Sequence, residues 1–168
     1  RGDVSSQFLS GLLMAAPLAR GPVRVEVEGE LLSKPFVDMT LDVMAHFGAV
    51  VERDGYRRFT VTPGEYLAHD YRVEGDAMAA GYFWAAAAVT GGTVTVCNLG
   101  AGTRQGDARF ARVLEEMGCE VTWTPDTVTV AGPRRLRGGD FDLNDMPDQA
   151  QTLAVVGLFA DEPVHVAN

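Results

Sequence analysis

Ala79-Ala80-Gly81-Tyr82-Phe83-Trp84-Ala85-Ala86-Ala87-Ala88-Val89, a turn at Thr90-Gly91-Gly92, then Val94-Thr95-Val96: an alanine-rich apolar helix pattern runs into an alternating strand. Two other stretches read the same way. Phe8 to Ala19 leads to Val23-Arg24-Val25, and Leu153 to Ala160 leads to Val164-His165-Val166. Val23, Val94 and Val164 thus recur at intervals of about 70 residues, the mark of a repeated supersecondary unit.

A second, more polar helix fits between these anchors in each full repeat: Val37 to Phe47 closed by Gly48, and Ala108 to Met117 closed by Gly118. Phe110, Val113, Leu114 and Met117 form one apolar stripe at i, i+3, i+4 and i+7, with Asp107 placed to cap the start and Gly118 to take the left-handed position at the end. Val37, Leu41 and Met44 repeat the stripe. Each helix precedes a hairpin pattern, Val50-Val51 with Tyr56 to Val61 across Asp54-Gly55, and Glu120 to Thr124 with Thr127 to Val130 across Pro125-Asp126. The unit reads helix, strand, helix, strand, strand. The chain holds about 2.4 of them, a non-integral number that predicts a piece of a longer polypeptide. Its start at Arg1 rather than methionine and its end on Pro163-Val164-His165-Val166 are read the same way.

Composition narrows the class. Of 168 residues, 46% are hydrophobic and 22% charged, which suits a globular α/β chain and rules out disorder and coiled coil. Its longest apolar run, Phe83 to Val89, is far shorter than the roughly 18–20 residues of a membrane helix, so no membrane partner is expected. A net charge of -9 opposes nucleic-acid binding. Cys97 and Cys119, far apart and flanked by strand-like residues, are read as buried thiols of a cytoplasmic protein, and His46, His69 and His165 as isolated, so no metal or other cofactor is expected. Arg134-Arg135-Leu136-Arg137 reads as a solvated turn.

Four places can carry chemistry. Val4-Ser5-Ser6-Gln7 precedes an apolar helix, where hydroxyls either cap free N–H groups or, with the helix dipole, help hold a phosphate. Ser33 leads from a strand into a helix with Pro35 in its first turn, next to Lys34, the single lysine. Pro147 opens a helix with Asp148 in the first turn, where a carboxylate is favoured by the dipole and where a general base would look the same. Gly102-Thr103-Arg104-Gln105-Gly106-Asp107 lacks the spacing of a nucleotide loop and reads as a cap and turn. Tyr66 to Asp76 suits either a plain loop or a crossing between subdomains.

Taken together, four stretches closely resemble the enolpyruvylshikimate-phosphate synthase family (3-phosphoshikimate 1-carboxyvinyltransferases): Ser5-Ser6-Gln7-Phe8-Leu9 through Leu18; Ser33-Lys34-Pro35-Phe36-Val37-Asp38 through Leu41; Val73-Glu74-Gly75-Asp76 with the alanine-rich run to Val94; and Asp142-Leu143-Asn144-Asp145-Met146-Pro147-Asp148. The resemblance implies an inside-out α/β barrel of βαβαββ units, three to a domain around a pseudo-threefold axis and here incomplete. It implies that Glu74 to Asp76 is a crossover, so that residues 1–74 end one globular domain and 75–168 begin the other. It implies transfer of the enolpyruvyl group of phosphoenolpyruvate to the 5-hydroxyl of 3-phosphoshikimate with release of phosphate, in the shikimate pathway, by an enzyme that is monomeric when whole. Carried over by position, Ser5, Ser6, Gln7 and Ser33 would hold 3-phosphoshikimate, Gln7 would also lie near phosphoenolpyruvate, and Asp148 would bind the shikimate hydroxyls and accept a proton.

Two departures matter. Phe36 stands where many members carry tyrosine, removing a hydroxyl beside the phosphate pocket. The family's amino-terminal lysine and arginine clamps and its later arginine, lysine and glutamate segment have no counterpart in the sequence, so this chain is expected to be inactive alone. The related transferase acting on UDP-N-acetylglucosamine is disfavoured, because neither cysteine lies in a loop matching its reactive one. A non-catalytic module of the same fold is disfavoured by the presence of Ser5, Ser6, Gln7, Ser33 and Asp148.

Overall fold

The structure, a computed structural model, describes residues 1–3 and 5–167; Val4 of the first motif and Asn168 at the end of the second expected domain lie outside them. The chain divides into two compact units, Arg1–Arg72 and Val73–Asn168.

In the first unit α1 (Ser6–Ala15) continues through a 3-10 turn at Ala16–Leu18 and leads to β1 (Val23–Glu26), α2 (Lys34–His46), β2 (Val51–Asp54) and β3 (Arg58–Val61). The second unit repeats the order with α3 (Ala77–Thr90), β4 (Thr93–Cys97), a 3-10 turn at Gly106–Arg109, α4 (Phe110–Glu116), β5 (Glu120–Trp123) and β6 (Thr127–Ala131). The two sheets share one topology. In each, the last strand lies between the other two and runs antiparallel to both, with Val61 opposite Val23 and Val51, and Ala131 opposite Thr93 and Glu120. The outer strands therefore run in the same direction, as two strands joined by a crossover helix must.

The predicted stripes form the cores. Phe110, Leu114 and Met117 are fully buried with Val113 nearly so, as are Val37 and Met44 in the first unit. Gly48 and Gly118 take positive φ, 84° and 105°, after α2 and α4, where a side chain would be strained. Two separate apolar clusters result. One gathers Leu9, Leu13, Val37, Met44, Phe59 and Val61; the other is built around Trp84, Leu99, Phe110, Leu114, Val128 and Leu153.

Several expectations need correction. Asp107 caps no helix: it sits inside the 3-10 turn Gly106–Arg109, with its carboxylate buried. The hairpin at Asp54-Gly55 is one residue longer than that pair suggests, because Asp54 pairs with Arg58 and the Arg57 N–H donates to the Asp54 carbonyl. Cys97 is exposed on β4, where side chains alternate across the sheet; only Cys119 is buried. His46 and His69 are not isolated, their rings meeting edge to face at 5.6 Å beside Tyr71. Arg134 to Arg137 is not simply a solvated turn, since Leu136 is buried and forms a parallel bridge to Ala160.

One strand is not apparent from the sequence pattern. β7 (Gly139–Asp142) pairs in parallel with β8 (Val164–Ala167) across α5 (Ala150–Gly157), a βαβ crossover. Phe141 and Leu143 do alternate with Asp140 and Asp142 at strand spacing, but aspartate is disfavoured in strands and masks the pattern. No helix among the described residues is long and apolar enough to cross a membrane.

Candidate functional site

Two serine-led helix starts meet in the first unit. Ser5 is the N-cap of α1 in extended backbone, and its Oγ accepts the Gln7 N–H at 3.2 Å. Ser6 is buried and Gln7 exposed. Ser33 precedes α2 but does not cap it: its φ of 52° is left-handed and its hydroxyl makes no capping bond. Nor does a strand lead into it, since β1 ends at Glu26.

Backbone pairing joins the approaches to the two starts. The Gly2 N–H donates to the Glu28 carbonyl at 2.8 Å, and the Leu32 N–H donates to the Gly2 carbonyl at 3.2 Å. Gly2 lies three residues before Ser5, and Leu32 immediately precedes Ser33. The helices themselves are tied where the Thr40 and Ser10 hydroxyls pair at 2.9 Å. Ser5 and Leu31 line one concavity with Phe8, Leu12 and Val25.

Cations are at hand but engaged. Arg1 pairs with Asp3 at 2.6 Å and Lys34 with Glu30 at 3.1 Å. Farther along α2, Asp38 accepts from Arg53 and from the Tyr56 hydroxyl, the latter at 2.6 Å; bonding to Asp38 raises the pKa of both donors. Tyr56 thus carries a phenol near the start of α2, although Phe36 carries none.

Asp148 belongs to the second unit. It lies exposed in the 3-10 turn Pro147–Gln149 that opens α5. That turn is held from both sides. Ahead of it Leu143 and Met146 are buried and Asp145 accepts from Arg109; behind it Gln149 is fully buried, its Nε2 donating to the Met78 carbonyl at 3.3 Å. Asp107 stands beside Gln149 with 7% of its surface exposed. Burial, then the Asp148 and Asp76 carboxylates, hold the Asp107 carboxyl above its ordinary range.

The loop read as a cap and turn has a larger part. Gln105 Oε1 accepts the Ala77 N–H at 2.9 Å, while its Nε2 donates to Glu74 Oε2 and the Gly75 carbonyl; Thr103 also donates to Glu74. Asp76 Oδ1 caps α3 through the Met78 and Ala79 N–H groups. The sequence signal for this was present as a polar run ahead of an apolar helix, but the partner lay about 30 residues away. Among the described residues, no three His, Cys, Asp or Glu side chains are grouped to hold a metal ion.

A family model for EPSP synthase (3-phosphoshikimate 1-carboxyvinyltransferase) matches residues 1–168. The chain is 53% identical to the chloroplastic 3-phosphoshikimate 1-carboxyvinyltransferase of Solanum lycopersicum, over 98% of this chain and 34% of that protein. It is 47% identical to the enzyme of that name from Serratia proteamaculans, over 99% of this chain and 39% of the other. It therefore spans little more than a third of these curated relatives. Among solved structures, the EPSP synthase of Acinetobacter baumannii superposes with a TM-score of 0.75 at 22% identity, over 97% of this chain and 38% of that one. The enolpyruvyl transferase NikO of Streptomyces tendae gives 0.69 at 18% identity, over 94% and 39%. These two likenesses show the fold, an incomplete enolpyruvyl transferase-like α/β arrangement.

Proposed function

Because the chain belongs to the EPSP synthase family, we propose that it is part of an enzyme that transfers the enolpyruvyl group of phosphoenolpyruvate to the 5-hydroxyl of 3-phosphoshikimate, releasing phosphate. The observation that carries this reading is the junction of the α1 and α2 starts through Gly2, which brings two serine-led turns into one neighbourhood. Helix N-termini and small hydroxyls suit a dianionic phosphate. Ser5, Ser6, Gln7 and Ser33 hold the phosphate end of 3-phosphoshikimate, Gln7 faces phosphoenolpyruvate, and Asp148 binds the shikimate hydroxyls and accepts the proton.

The reaction runs by addition and then elimination. The 5-hydroxyl oxygen bonds to C2 of phosphoenolpyruvate while C3 takes a proton, giving a tetrahedral intermediate; loss of phosphate and of the C3 proton restores the double bond. Asp148 is exposed, and no cation among the described residues pairs with it, which suits a carboxylate that exchanges protons with substrate. Residues 1–74 end one domain of the complete enzyme and 75–168 begin the next. The complete enzyme is a cytoplasmic monomer, a setting in keeping with two unpaired cysteines.

Titration of the chain with 3-phosphoshikimate tests this. Binding that weakens in Ser5→Ala and in Ser33→Ala supports it, while saturable preference for a uridine sugar favours the relative that uses UDP-N-acetylglucosamine. The chain alone is expected to release no phosphate from the two substrates, because most of the countercharge for two anions is absent from it.

A further inference from the structure

Gln149 is the one residue of its turn whose side chain is wholly enclosed, and it follows the proton acceptor directly. A buried amide is costly unless its groups are paired. Here Nε2 donates to the Met78 carbonyl at 3.3 Å, and Oε1 has no hydrogen-bond partner among the described residues. The amide lies flat on Gly81 of α3: a Cβ on that residue would stand 2.8 Å from Nε2 and 2.9 Å from Cδ. Any side chain at position 81 must therefore displace the amide.

An apolar residue would fill this place at less cost, so the arrangement calls for a reason beyond packing. Two further buried oxygens lack a partner among the described residues, Thr152 Oγ1 on α5 and Oδ1 of Asp107, and the second supplies one: it sits on the 3-10 turn packed against both α3 and the Asp148 turn. That same turn also contributes Arg109, which grips Asp145 on the other side of Asp148.

We propose that Gln149 is a positioning residue for Asp148, its amide clamping the Pro147–Gln149 turn to α3 across Gly81 and against the Asp107 carboxyl. The inference rests on the reading of Asp148 as proton acceptor. The Gln149 amide also acts on the Asp107 carboxyl, in the direction that favours its charged form and against the larger effect of burial, which places the two side chains against one another. Asp148 thereby gains a fixed backbone with no cation from the described residues at its carboxylate.

The test is made in the complete transferase that carries this chain, by steady-state kinetics and thermal unfolding. Gln149→Met keeps the length of the side chain and removes the amide. It should lower kcat at least about tenfold, while KM for 3-phosphoshikimate, set mainly by the serine turns, changes less than about threefold. Gly81→Ala should lower both kcat and the melting temperature. Adding Gln149→Ala should restore the melting temperature without restoring kcat, a split that a packing role alone would not produce. Should Gln149→Met fail to fold, the Gly81→Ala/Gln149→Ala protein, whose added methyl group refills part of the space, carries the same comparison. If Gln149→Met keeps kcat and KM within twofold while Asp148→Asn is inactive, the clamp is refuted and the reading of Asp148 stands. Near-normal turnover by Asp148→Asn overturns that reading and the clamp with it.

Discussion

Two buried acidic groups set the residue-scale behaviour. Burial foremost, with Asp148 next, raises the Asp107 carboxyl above its ordinary 3.8, so the folded chain binds this proton more tightly than the unfolded one. The stabilisation is fully present below about pH 3.8 and is lost as pH rises through the folded value. Asp107→Asn should accordingly gain stability over wild type at pH 7 and lose that gain at about pH 3.5, as urea midpoints at the two values will show. Cys119 is pushed up to about 11 by burial, whereas Cys97 is exposed. A disulfide reagent at pH 8 should therefore label one thiol per native chain rapidly and the second only on unfolding. The sequence suggested two alike thiols, since the strand-like flanks of Cys97 say that it alternates across a sheet but not which face is covered.

At the scale of elements, the 3.6-residue stripes and the glycine stops were legible because they depend on neighbours one turn away. Phe110, Leu114 and Met117 needed nothing else. The starts of helices were less so. Ser33 reads as a cap from its residue type, yet its left-handed backbone turns the hydroxyl away from that task. A non-glycine residue there costs about 1–2 kcal/mol. Ser33→Gly should thus stabilise the chain by about 0.5–1 kcal/mol in urea unfolding while weakening 3-phosphoshikimate binding, because no capping bond is lost and the proposed phosphate ligand is. A gain in stability with unchanged binding would remove Ser33 from the site. The Asp107 reading failed for a related reason: a 3-10 turn replaced the first turn of the helix and carried the expected cap inside.

For the whole molecule, two cores predict two unfolding units. Both tryptophans, Trp84 and Trp123, belong to the second, so tryptophan fluorescence reports that unit while circular dichroism reports both. Non-coincident urea curves from the two probes are expected, and trypsin should cut first at the exposed Arg72, between β3 and α3. Coincident curves would mean that the units unfold as one. The sequence alone determined the repeated order of helix and strand and the places where serines and Asp148 begin helices, because these follow from periodicity and local backbone chemistry. The tertiary structure decided the parallel pairing of β7 with β8, the union of the two serine turns through Gly2, and the burial of Gln149 on Gly81 beside Asp107. Each of those joins residues tens of positions apart, and no local pattern records which distant backbone or side chain will satisfy a buried polar group.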